Sequence, residues 1–216
     1  MADRSISLIM PAFNEEATIE FSVRSAIEKL EEHSFDYEIF IFNDASIDKT
    51  GTIAEALACK YPKIIVFHNQ RNMNLGYNLA QGIKLASKPY AGLLPCHGLT
   101  DPESFNSIFQ ALDKADVVIT YIANSDIRPM VRRVISRINV VLLNLIFGLQ
   151  LKYYHLNFYR TDILKKIPTS TQSYALMVEL LVYAVKSGAT FIQVPFFLKK
   201  RVSGRSKAMR SKNIIN

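Results

Sequence analysis

Along the first 121 residues, short runs of consecutive apolar side chains alternate with stretches in which apolar residues recur every three or four positions. Residues 5–10 form the first run, closed by Pro11, and residues 37–42, 63–67, 90–94 and 116–121 repeat it. Brief apolar runs of this kind read as strands covered on both faces. Between them, residues 15–32 carry Ile19, Val23, Ile27 and Leu30 on one side of a helix with acids at its start. Further helices are expected from about 48 to 60, over 76–87 and near 102–114. Repeated strand–helix units imply an α/β fold, a mostly parallel central sheet with helices on both faces. Ligands of such sheets bind beyond the carboxyl ends of the strands, so the loops after residues 10, 42 and 94 are where chemistry is expected.

After residue 127 the pattern changes. Residues 128–147 read as one long helix with Arg128, Arg132, Arg133 and Arg137 near its start. Within residues 140–151 only Asn144 and Gln150 are clearly polar. That run is shorter than the roughly 18–20 apolar residues a membrane crossing needs, and it suits a buried helix or one lying in a bilayer interface. Residues 173–187 read as a helix, residues 190–195 as a strand, and a basic tail follows. Residues 1–4 lack the layout of a secretory signal, so a chain without a leader or a membrane span of its own is expected.

Composition adds a size and a charge map. With 216 residues, 49% hydrophobic and 21% charged, the chain can bury a large core, and a single domain over 1–216 is expected. Two cysteines, Cys59 and Cys96, argue against a disulfide scaffold and for a reducing compartment. The net charge of +7 conceals a division: residues 1–127 hold 10 basic and 17 acidic side chains, whereas residues 128–216 hold 16 and 2. Residues 199–212 alone carry seven bases and no acid. Such asymmetry points to an anionic partner, although a merely solvated tail would look the same. No nucleic-acid-binding motif accompanies it, so nucleic acid is not an expected partner.

Two loops carry candidate chemistry. After the first run comes Met10-Pro11-Ala12-Phe13-Asn14-Glu15-Glu16, and after the second Asn43-Asp44-Ala45-Ser46-Ile47-Asp48-Lys49-Thr50. Either is ordinary helix punctuation by itself, because Asn, Asp and Ser cap helices. At the ends of successive parallel strands they converge on one crevice, where carboxylates and a hydroxyl suit a nucleobase edge and a ribose.

Together they resemble the start of glycosyltransferase family 2, which has the nucleotide-sugar-binding GT-A fold. The pattern Pro-Ala-x-Asn-Glu is met by Pro11, Ala12, Asn14 and Glu15. Asp-Asp-x-Ser-x-Asp-x-Thr is met by Asp44, Ser46, Asp48 and Thr50, with Asn43 in place of the leading Asp. A third landmark is approximated by Asn74, Gly76, Ala80 and Gly82. The later order of Arg128, Arg132 and Arg133, then Phe147-Gly148-Leu149, residues 154–160, Glu179, Val194-Pro195 and Arg201-x-x-Gly204-x-Ser206-Lys207 is similar to the branch of dolichyl-phosphate mannosyltransferases and bacterial polyprenyl-phosphate glycosyltransferases. The resemblance implies glycosyl transfer from a nucleotide sugar to a polyprenyl phosphate or other lipid-linked acceptor, on the cytoplasmic face of an anionic membrane, in cell-envelope glycan synthesis. By the same resemblance Pro11, Ala12, Asn14, Glu15, Asp44, Ser46, Asp48 and Gly76 hold the donor, with residues 1–127 as the nucleotide-sugar half. Arg132, Arg133, Arg201, Ser206 and Lys207 meet phosphate or acceptor in the basic half, 128–216. A membrane-protein partner or a homo-oligomer is a further expectation.

One landmark is altered. The family's Asp-x-Asp, which holds Mg²⁺ or Mn²⁺ under the donor diphosphate, falls on Pro95-Cys96-His97 when counted back from Pro102-Glu103. Hard divalent cations prefer oxygen ligands. His97 is at most a single ligand, and Asp101 lies on the helix side of the turn; with Arg201 these two are the candidate catalytic groups. His155 reads as a lone structural histidine. The alternative reading is a catalytically impaired member that binds nucleotide sugar or acts as a regulatory partner.

Overall fold

The strand Ser5–Ala12 (β1) runs through the middle of the sheet, with Ile6, Leu8, Ile9 and Met10 all fully buried. Burial on both faces explains why its apolar residues are consecutive rather than alternating. The computed structural model describes residues 4–152, 155–169 and 171–199. Asp36–Asn43 (β2) and Tyr90–Leu93 (β4) flank β1 in parallel, and Ile64–His68 (β3) lies beyond β2. Asn157–Arg160 (β6) runs antiparallel between β4 and Val117–Ile122 (β5), and Phe191–Phe196 (β7) closes the far edge parallel to β5. The seven-stranded order is β3-β2-β1-β4-β6-β5-β7.

Seven helices connect these strands among the described residues: Ile19–Glu32 (α1), Thr50–Lys60 (α2), Asn74–Leu85 (α3), Ser104–Phe109 (α4), Met130–Phe147 (α5), Thr161–Leu164 (α6) and Leu176–Lys186 (α7). Helices α1, α2 and α4 pack on one face, and α3, α6 and α7 on the other. The switch of face falls at β1, between β2 and β4, which is where a crevice opens in sheets of this kind.

The structure departs from the sequence pattern at several places. The helix expected near 102–114 is only Ser104–Phe109, followed by turns. The long helix begins at Met130, because Pro129 has extended backbone and residues Ser125–Ile127 form a short 3-10 turn. The sequence reading also lacked β6 and α6. Strand β6 fits because Gly92 of β4 has no side chain: a Cβ there would come within 2.1 Å of the Phe158 ring. Finally, α5 is not a buried helix; only Val140 and Leu143 are buried along its length.

Candidate active site

Six of the seven strands point their carboxyl ends to one edge of the sheet. Strand β6 points the other way, so its start comes to that same edge and brings His155 with it. The backbone N–H of His155 donates to the Thr120 carbonyl oxygen near the end of β5, at 2.9 Å. The candidate site is thus built from the loops after β1, β2 and β4, the turn before α5 and the turn before β6.

The first two loops are bolted together by side chains. Asn14 N–H donates to Ser46 Oγ (3.0 Å), Glu15 N–H to Thr50 Oγ1 (2.8 Å) and Glu16 N–H to Asp48 Oδ2 (3.2 Å). In return Ile47 N–H donates to Asn14 Oδ1 (2.9 Å) and Lys49 N–H to Glu16 Oε2 (3.0 Å). Asp48 also accepts from Thr50 N–H at 3.0 Å, and these bonds hold its pKa below the usual carboxylate value despite partial burial. Asn43, where the family pattern has Asp, donates through Nδ2 to His68 Nδ1 (2.9 Å), and His68 Nε2 is 2.7 Å from Glu55.

Asp44 is buried and fully engaged in the scaffold. Its N–H donates to the Ala12 carbonyl oxygen (2.8 Å). Its carboxylate accepts from Asn69 Nδ2 (2.7 Å), Met73 N–H (2.8 Å) and Asn74 N–H (3.1 Å), so it neutralises the amino end of α3. Gly76 acts at one remove. A Cβ there would lie 2.3 Å from the Ser173 carbonyl oxygen, so the glycine lets residues 172–173 rest on α3. Tyr174 follows, and the pKa of its phenol is raised by partial burial and by the carboxylates of Glu15 and Asp44. Nothing in the sequence distinguishes Tyr174 from other tyrosines; only the packing at Gly76 puts it beside the two loops.

The loop after β4 is tied to α1: Thr18 Oγ1 donates to the Cys96 carbonyl oxygen (2.7 Å) and Gly98 N–H to Ser22 Oγ (3.1 Å). Cys96 is buried, and burial with the Glu15 charge pushes its thiol far above the ordinary range, so it stays protonated. Leu99 N–H donates to His97 Nδ1 at 3.2 Å. Asp101 accepts from Glu103 N–H (3.1 Å), a local turn leading into α4. Among the described residues no group of three or more His, Cys, Asp or Glu assembles that could hold a metal ion. A protonated thiol, a histidine whose Nδ1 is occupied and a proline do not suit Mg²⁺ or Mn²⁺.

Positive charge faces this loop instead. Burial of the His155 ring, with His97 and the guanidinium groups of Arg128 and Arg132 nearby, pushes its pKa down to about 3. The ring packs edge-on against Phe196 at 5.0 Å, and its buried Nε2 has no hydrogen-bond partner among the described residues. The Nε of Arg133 is likewise buried without one. The Lys199 N–H donates to the Leu99 carbonyl oxygen (2.8 Å), two residues after His97. The expected residues Arg201, Ser206 and Lys207 lie outside the described residues.

A mostly parallel sheet whose motif-bearing loops meet at the face-switching strand defines the nucleotide-diphospho-sugar transferase class of fold, GT-A. The chain belongs to glycosyl transferase family 2, whose sequence pattern matches residues 7–177. It is 25% identical to the polyprenol monophosphomannose synthase of Mycolicibacterium smegmatis over 221 aligned positions, covering 96% of this chain and 82% of that one. It is 27% identical to the dolichyl-phosphate beta-glucosyltransferase ALG5D of Trichomonas vaginalis over 114 residues, covering 50% of this chain. That match spans only 35% of the glucosyltransferase's own length. Among solved structures, glucosyl-3-phosphoglycerate synthase from Mycobacterium tuberculosis, in complex with Mg²⁺ and uridine diphosphate, superposes with a TM-score of 0.71 at 20% identity. The superposition covers 94% of this chain and 73% of that one.

Proposed function

We propose that this chain moves a sugar from a nucleotide-diphosphate donor onto the phosphate of a polyprenyl lipid at a membrane surface. The observation that carries the reading is helix α5, which starts beside the candidate crevice. Nine apolar side chains between Met130 and Ile146 are each at least 49% exposed, with Leu145 at 75%. At about 100° per residue they cover a continuous arc of about 160°, opposite the buried Val140 and Leu143. Arg132 and Arg137 stand at the two margins of the arc. An apolar stripe with basic margins suits the headgroup–acyl boundary of an anionic bilayer, with the chain peripheral to its cytoplasmic face. The names of the mannose synthase and the glucosyltransferase specify polyprenyl-type phosphates, which supports the same acceptor class here.

In this reading Pro11, Ala12, Glu15 and Asp44 frame the crevice for the base and ribose. Asn14, Ser46 and Asp48 lock the two loops in place, and Gly76 seats Tyr174 beside them. Arg132 and Arg133 meet the acceptor phosphate, and Arg201, Ser206 and Lys207, outside the described residues, are assigned to phosphate on the family pattern alone. The acceptor phosphate oxygen forms a bond to the anomeric carbon as the bond from that carbon to the diphosphate oxygen breaks. A phosphate dianion is already nucleophilic, so positioning and charge neutralisation are the protein's tasks. Structural neighbours bind Mg²⁺ with uridine diphosphate, but the residues of the loop after β4 give no reason to route a step through a metal here.

The test is transfer of labelled sugar from UDP- and GDP-sugars to polyprenyl phosphate in anionic liposomes. Label extracted into the organic phase is the expected result. Nucleotide binding without any labelled lipid would instead favour the impaired, partner-protein reading.

A further inference from the structure

We infer that the loop after β4, with the turns before α5 and β6, binds the donor's diphosphate directly through hydrogen-bond donors and fixed positive charge, so that nucleotide binding needs no divalent cation. The inference rests on the transferase reading and specifies how its donor is held.

The first argument is the absence of carboxylates from the segments that meet here. Residues 89–100 and residues 127–161 contain no Asp or Glu. Those stretches supply the β4 loop, the start of α5 and the turn before β6. The nearest acid along the chain, Asp101, has Oδ1 accepting from Glu103 N–H on the helix side of its turn. Beside the loop stands the Glu15 carboxylate, which accepts from the same Thr18 hydroxyl that reaches Cys96. Among the described residues no group of three or more potential ligands gathers, so a hard cation lacks the set of oxygen ligands it requires.

The second is the proton on His97. A neutral imidazole carries one proton, and Nδ1 accepts the Leu99 N–H at 3.2 Å, which places that proton on Nε2. Ligation of a metal through Nε2 would move the proton to Nδ1, where it would oppose the Leu99 N–H. His97 therefore offers a hydrogen bond rather than a lone pair, the polarity that suits a phosphate oxygen.

The third is His155. Its ring is buried at the same edge with Nε2 unpartnered among the described residues, within electrostatic reach of His97, Arg128 and Arg132. In the tautomer that carries its proton on Nε2, this atom is a buried donor without a partner, and an incoming oxyanion relieves its free-energy cost. The guanidinium groups of Arg128 and Arg132 supply charge of the sign a metal would otherwise bring. Where the family's loop is acidic, this one holds no acid and is faced by Arg128 and Arg132.

Calorimetry on the full chain, with UDP and GDP as probes, tests this first in EDTA and then in excess Mn²⁺. Binding is expected in EDTA, with a Kd that Mn²⁺ changes by less than about threefold. His97→Asp should weaken binding in EDTA by at least about tenfold. His97→Gln, which keeps an N–H donor, should retain most of it. Pro95→Asp combined with His97→Asp restores two acids at the original spacing and should bind only with Mn²⁺. Thermal unfolding midpoints check that each variant is folded, and the wild-type comparison decides the matter without any variant. Wild-type binding that appears only with Mn²⁺ would overturn the inference and leave the transferase reading intact. A folded double variant that binds in EDTA as tightly as wild type would overturn it too, because the diphosphate would then lie elsewhere. No binding of either nucleotide in either condition would overturn both.

Discussion

Asn14 and Ser46 meet across two loops that are 32 positions apart in the chain: the N–H of Asn14 donates to Ser46 Oγ at 3.0 Å. Asn14 has φ 51 and Ala45, next to Ser46, has φ 59, so both loops turn through the left-handed region to make the contact. Neither motif has its shape without the other, and the crevice between them is as rigid as this cross-loop lattice. Ser46→Ala leaves the Asn14 N–H without its acceptor. The expected loss is about 1 kcal/mol in urea denaturation, together with weaker nucleotide binding. Unchanged stability and unchanged binding would mean that water replaces the hydroxyl at no cost.

Gly76→Ala should be more severe than an ordinary glycine-to-alanine change in a helix, where alanine is the better helix former. The added methyl would lie 2.3 Å from the Ser173 carbonyl oxygen, and backbone rather than a flexible side chain must yield. A loss of about 1–3 kcal/mol is expected, with displacement of Tyr174 from the two loops. Intrinsic tyrosine fluorescence and chemical denaturation read the two effects separately. A stabilised variant would show that the 172–173 segment is not seated on α3.

His155 gives the fold a pH dependence with a definite sign. The unfolded chain takes up a proton on this ring near 6.5, whereas the folded chain resists until about 3. Between those values the unfolded state binds more protons, so stability falls as pH drops below about 6.5. The slope approaches about 1.4 kcal/mol per pH unit for one such group. Denaturation midpoints of wild type and His155→Gln, compared from pH 7 to pH 5, should diverge in slope. Parallel profiles would show that the ring is hydrated in the folded protein.

Replacing Leu145 and Ile146 with Glu should abolish co-sedimentation with anionic liposomes and leave the fold unaffected, because both side chains are mostly exposed already. Undiminished sedimentation of the double variant would remove α5 as the membrane contact. Loss of a dimer in sedimentation-velocity runs, with liposome binding retained, would assign the stripe to a second copy.

The strands that were legible in the sequence are those buried on both faces, since a run such as residues 5–10 has no other economical reading. Strand β6 was not legible. Its four residues, Asn157–Arg160, carry neither an apolar run nor an alternating pattern long enough to register. Its place depends on a glycine in β4, 65 residues earlier, clearing space for Phe158. The motifs at Asn14 and Asp44 were found by their order along the chain, but their hydrogen bonds were not. Asp44 satisfies three donors from residues 69–74, and no local rule assigns partners at that separation. His155 was read as a lone structural histidine; its Nε2 is buried without a hydrogen-bond partner among the described residues, which no local pattern foretells.

Strand β6 also sets the order in which the protein can be made. β1, β2, β3 and β4 emerge consecutively from the ribosome and can pair as they appear. Strand β5 ends at Ile122, and its two neighbours begin only at Asn157 and Phe191. At about 5–20 residues per second, the first of them follows about 2–7 s later. For that interval β5 and one edge of β4 are unpaired, while the apolar stripe of α5 is already being synthesised. A nascent chain in that state is a substrate for chaperones, or for early capture by the bilayer it is proposed to serve.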